Sequence, residues 1–134
     1  MAGNLLISIF WLIRPANIFI ILGTMMGVCY NLSFDNPVVN INRYDFILLL
    51  ISTALIAGAG NMINDYFDVK ADRVNKPHKL IISKHVKRRW AIILHWTFNF
   101  SALIISIYLS SKYNTFWYVF INLLAINALW FYSV

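Results

Sequence analysis

Four stretches of this chain are apolar for about as long as a lipid bilayer is thick, and no other feature limits the fold as much. The clearest is FILLLISTALIAGAGNMI, Phe46 to Ile63; a helix needs roughly 20 such residues to cross the hydrocarbon core. Pro15 to Leu32, Trp90 to Leu109 and Phe116 to Val134 have the same character. Composition agrees, with 60% of the 134 residues hydrophobic and 12% charged, against about 25% charged in a soluble domain. Mean hydropathy is +0.68. The expectation is an all-α integral membrane protein: a polytopic bundle of about four transmembrane helices, forming one domain over residues 1–134.

Local signals place the ends of these spans. No basic region precedes the first apolar residues, Arg14 interrupts them, and no A-x-A site follows, which argues against a signal peptide. Asn4 to Ile13 reads as a short amphipathic lead-in with Trp11 near the headgroups. Pro15 then opens the first span, where a proline forfeits no hydrogen bond. Asp45 stands in an N-cap place before the second span. Tyr113, Trp117 and Tyr118 mark one interface, and Trp130 and Tyr132 the other. Asn31 to Asp45 reads as a turn-rich external loop, broken most clearly at Asn36-Pro37. The single cysteine, Cys29, lies in an apolar block with no partner for a disulfide or zinc site, and reads as a packing residue.

Orientation follows from the bases. Of eleven Lys and Arg, eight lie between Lys70 and Arg89. The positive-inside rule puts this loop, residues 64–89, in the cytoplasm. With four spans both termini are cytoplasmic as well, in a chain expected in the cytoplasmic membrane. Topology alone is enough to account for the basic run; membrane lipids are expected as partners and nucleic acid is not.

One cluster stands apart. NDYFDVKADRVNKPHK, Asn64 to Lys79, follows the second span directly. On a helix Asn64, Asp68 and Asp72 drift only about 40° per step and project along one stripe. Asp65 points about 100° away from it. Carboxylates stacked on one face repel unless a cation lies between them. The oxygen donors suit a hard ion such as Mg²⁺, which takes one or two carboxylates and completes its shell with water and phosphate. No His or Cys pair has the spacing for a softer metal. The acids also lack the EF-hand pattern. Spacing alone leaves a second reading open: ordinary juxtamembrane polarity, with bases set by topology.

This segment resembles the first aspartate-rich motif, N-D-x-x-D-x-x-x-D, of the UbiA family of membrane prenyltransferases. Asn64, Asp65, Asp68 and Asp72 fill its four places, and Asp72, Arg73, Asn75, Lys76 and Pro77 match the D-R-x-N-K-P that follows. Upstream, Arg14, Pro15 and Asn17 match the family's R-P-x-N. The resemblance implies the first half of a nine-helix enzyme. It also implies Mg²⁺-dependent transfer of a prenyl group from an allylic prenyl diphosphate to a lipophilic acceptor, a small aromatic or a glycerophospholipid precursor. Within the family the motif looks most like the geranylgeranylglycerol-phosphate geranylgeranyltransferase branch.

The resemblance also implies roles. Asp68 and Asp72 are the catalytic metal ligands, with Asn64 ligating or orienting and Asp65 either a ligand or a support behind it. Arg73, Lys76 and Lys79 are expected to hold diphosphate oxygens, and Asn17 and Asn61 to line the cavity. Arg14 matches a motif without a role that follows from it. The family's second acidic motif has no counterpart, since no acidic residue follows Asp72. A truncated or split enzyme with a complementing C-terminal half is therefore expected. A non-catalytic remnant or membrane subunit, and a headgroup-binding or transport module, remain as alternatives. Within the spans, His95, Asn99, Asn122 and Asn127 suit interhelical hydrogen bonding, and Gly58 and Gly60 suit close packing.

Overall fold

The structure, a computed structural model, describes residues 5–35, 41–75, 77 and 80–134, with the side chains of residues 33–35 excepted. Its elements are α1 (Leu5–Leu12), α2 (Pro15–Asp35), α3 (Arg43–Asn75), α4 (Arg88–Lys112) and α5 (Trp117–Ser133). Every regular element among the described residues is a helix. Pro15–Leu32, α3 and α4 are long and apolar enough to cross a membrane. The fourth expected span, α5, is apolar but has 17 residues, at the lower end of the roughly 17–25 that suffice. The chain is a helical membrane bundle.

Arg14 separates α1 from α2. Its φ of 56° lies in the left-handed region, which costs a non-glycine residue of order 1–3 kcal/mol and persists only where the surroundings impose it. The Arg14 carbonyl accepts the Asn17 N–H at 3.0 Å and starts α2, with Pro15 as its first helical residue.

The cap of α3 differs from the expectation. Asn42, not Asp45, lies before the helix, and its Oδ1 accepts the Tyr44 N–H at 3.2 Å. Asp45 is drawn instead across the bundle to Lys112 and Tyr113, so its carboxylate is not available to cap. Stretch 64–89 also divides. The helix runs unbroken through Asn75. Leu80 to Lys87 is a compact turn in which Ile82 bridges Val86, with Ser83 at φ 74°. Ile82 and Val86 are both buried. Ile82, with Leu80 and Ile81, packs into the core and so pins this loop back onto the bundle.

Helix α3 packs against every other helix, most extensively against α4. Buried positions on α3 (Ser52, Ile56, Ala59, Ile63) and on α4 (Ala91, His95, Asn99, Ala102, Ser106, Leu109) recur at three- and four-residue spacing, the pattern of a knobs-into-holes seam. Small residues dominate it because helices in lipid gain from close backbone approach rather than from water exclusion. Polar groups complete it. Asn122 of α5 donates to the hydroxyls of Ser52 and Ser106, and both hydroxyls donate to the Ala102 carbonyl. His95 Nδ1 lies 2.9 Å from the Ala59 carbonyl, and Asn99 Nδ2 lies 3.1 Å from His95 Nε2. A carbonyl only accepts, so the proton is on Nδ1 and Nε2 accepts from Asn99. Gly60 lies tight against α5: a Cβ there would lie 2.8 Å from a Leu129 methyl.

Candidate functional site

The acidic motif occupies the last three turns of α3, anchored from beneath. Leu12 at the end of α1, Met62 and Val69 of α3, Ile82 of the turn and Ala91 of α4 form one buried cluster. Four chain segments therefore meet under the motif. Arg88, at the first residue of α4, lies over the Tyr66 ring with its guanidinium carbon 4.4 Å from the centroid. Nothing in the spacing of the basic run singles out Arg88.

Two stripes of α3 face different neighbours. On one, Gly58, Asn61 and Asp65 meet the turn between α1 and α2. The Asn61 amide donates to the Ile13 carbonyl at 2.8 Å, and a Cβ on Gly58 would lie 3.1 Å from Ile13 Cγ2. Arg14 forms an ion pair with Asp65. On the other stripe are Asn64, Asp68 and Asp72. Asn64 Nδ2 donates to Asp68 Oδ2 at 2.9 Å. Asp68 is exposed and Asp72 half-buried. Neither pairs with a Lys or Arg among the described residues.

The other expected site residues lie as follows. Arg73 is exposed in the final turn of α3. Lys76 and Lys79 lie outside the described residues. Asn17 and Asn61 share the wall of a cleft of about 270 Å³ between α2, α3 and α5, with Thr53, Ala57 and Leu129. The partner of Arg14 is what sequence reasoning missed. Its side chain reaches a residue 51 positions away, and only the match of both residues to motifs hinted at a link.

As a cation site this arrangement is half-built. Among the described residues no three His, Cys, Asp or Glu side chains come together as a metal-binding group. Two carboxylates on one stripe have no base among the described residues, and Asn64 keeps its amide oxygen while its nitrogen donates to Asp68. That donor set fits Mg²⁺, which needs only one or two carboxylates when water and phosphate fill its other positions. It does not fit a softer metal, which would want nitrogen or sulfur ligands.

Comparison with known proteins converges on one family. The chain is similar to the digeranylgeranylglyceryl phosphate synthase of Methanococcoides burtonii, 39% identical over 66 residues, covering 48% of this chain and 24% of that protein. Its counterpart in Methanoregula boonei is 37% identical over 90 residues, covering 67% and 29%. That of Korarchaeum cryptofilum is 33% identical over 99 residues, covering 72% and 32%. The chain thus spans about a quarter to a third of the length of these curated relatives. No solved structure matches it. The family model described as "UbiA prenyltransferase family" matches residues 16–134, nearly the whole chain. The chain belongs to the UbiA prenyltransferase family.

Proposed function

We propose that this chain supplies the first acidic motif of a membrane enzyme that transfers a prenyl group from an allylic prenyl diphosphate to a lipophilic acceptor, with Mg²⁺ as cofactor. The observation that carries this reading is the pair Asp68 and Asp72: two carboxylates on one stripe at the mouth of α3, beside Asn64 and without a base among the described residues. A glycerophospholipid-type acceptor is favoured over a small aromatic one, because the relatives carry the name digeranylgeranylglyceryl phosphate synthase. The motif end faces the cytoplasm, since eight of eleven bases gather there.

The residues divide the work. Asp68 and Asp72 hold the cation, and Asn64 orients Asp68 through its amide. Arg73 donates to diphosphate oxygens, where a guanidinium forms paired, charge-assisted bonds, and Lys76 and Lys79 add positive charge. The cleft with Asn17 and Asn61 takes the prenyl chain and keeps water from the reacting carbon. Mg²⁺, when bound, neutralises the charge that develops on the departing diphosphate. One acidic stripe grips one side of such a group, so turnover requires a complementing segment with a second acidic cluster.

The test is equilibrium retention of a radiolabelled allylic prenyl diphosphate by the full chain in nanodiscs. Retention with Mg²⁺ is expected to fall about tenfold or more, at least 1.4 kcal/mol, when EDTA replaces it. Equal retention in EDTA would overturn the reading. It would favour a headgroup-binding module working through its bases, whose affinity for anionic lipid depends on Lys and Arg alone.

A further inference from the structure

The motif's four polar positions do two different things. Asn64, Asp68 and Asp72 face outward along one stripe, but Asp65 faces the elbow at Ile13 and Arg14. That elbow is fixed to α3 at three successive levels: Gly58 leaves room for Ile13, Asn61 donates to the Ile13 carbonyl, and Asp65 pairs with Arg14. Arg14 also carries the left-handed backbone of the elbow, immediately before Pro15. A non-glycine residue persists there only when its surroundings determine it, and the side chain of Arg14 is tied to Asp65.

We propose that Arg14 and Asp65 form a positioning clamp. Their ion pair locks the α1–α2 elbow onto α3 and withdraws Asp65 from the cation, leaving Asn64, Asp68 and Asp72 to take it. The second half of this proposal rests on the cation-binding role proposed above for the acidic stripe. Two consequences follow. Freeing Asp65 adds an uncompensated negative charge three residues from Asp68, which loosens the geometry of the stripe. Freeing Arg14 lets α2 pivot at Pro15, which carries Asn17 away from Asn61 and opens the cleft they share. The clamp therefore couples the short helix α1, with Leu6, Ile7, Phe10 and Trp11 exposed, to the site.

The experiment uses the full chain in nanodiscs with Cys29→Ala, and spin labels at Ile7→Cys and Ile93→Cys, both exposed positions. Label distances report the elbow, and Mn²⁺ titration in the presence of inorganic pyrophosphate reports the stripe. Arg14→Ala and Asp65→Asn are each expected to broaden and shift the distance distribution. The swapped pair, Arg14→Asp with Asp65→Arg, is expected to restore it, a rescue that loss of packing alone would not give. Mn²⁺ affinity should fall by more than about tenfold in Asp68→Asn and by no more than about threefold in Asp65→Asn. An unmoved elbow in Asp65→Asn, with Mn²⁺ affinity lost as in Asp68→Asn, overturns the clamp and makes Asp65 a ligand. So does failure of the swapped pair to restore the distance. If the wild-type chain binds no Mn²⁺, the cation reading has failed instead, and the clamp stands or falls on the distances.

Discussion

Helix α3 carries four carboxylates, and they fall into two kinds. Asp45 is almost fully buried, 2.7 Å from Lys112 Nζ and 2.8 Å from the Tyr113 hydroxyl, and ties the start of α3 to the end of α4. Asp65 is paired with Arg14 and ties α3 to the α1–α2 elbow. Asp68 and Asp72, within two turns of Asp65, have no base among the described residues. A charge removed from water needs a partner to persist, so the paired acids are explained by the fold that surrounds them. The unpaired acids are not. Like charges one turn apart cost a few tenths of a kcal/mol on a helix, a small penalty that a bound cation reverses.

The contrast can be broken at several points with one readout, Mg²⁺ affinity with inorganic pyrophosphate present. The largest effect is expected from Asp68→Asn combined with Asp72→Asn. Affinity should fall at least about 100-fold, because each charge-assisted contact contributes roughly 1.5–3 kcal/mol, while the thermal midpoint stays unchanged. Asn64→Ala should cost about tenfold, the scale for removing a group that orients a ligand. Asp45→Asn should leave affinity unchanged and lower the thermal midpoint, because Lys112 loses its counter-charge and one of the two acceptor oxygens becomes a donor. The smallest effect belongs inside the bilayer. Asn122→Leu removes two hydrogen bonds at about 0.6 kcal/mol each, a loss of about 1 kcal/mol in unfolding titrations with no change in cation binding.

How legible these features were in the sequence depended on the distance over which each is decided. The spans were readable because about twenty consecutive apolar residues state their own environment. The stripe of Asn64, Asp68 and Asp72 was readable because helical period alone sets it. Asp45 looked like a cap because capping is local, and the eye had no access to Lys112 or Tyr113, 67 and 68 positions away. Arg14 was legible as a break before proline but not as the partner of Asp65. Ile82 and Val86 were hidden by the charged residues around them, which dominated the reading of that loop as a topology signal. His95, Asn99 and Asn122 suited hydrogen bonding in principle, and the partners are the Ala59 carbonyl for His95, His95 itself for Asn99, and two serine hydroxyls for Asn122.

The most direct measurement of whether Asp68 and Asp72 share an ion that carries diphosphate is pulsed electron–nuclear resonance on Mn²⁺ bound to the chain in nanodiscs with inorganic pyrophosphate. The expected spectrum contains phosphorus coupling from one bound Mn²⁺, and it disappears in the Asp68→Asn, Asp72→Asn double variant. The same coupled signal persisting in that double variant would contradict the assignment of these two carboxylates.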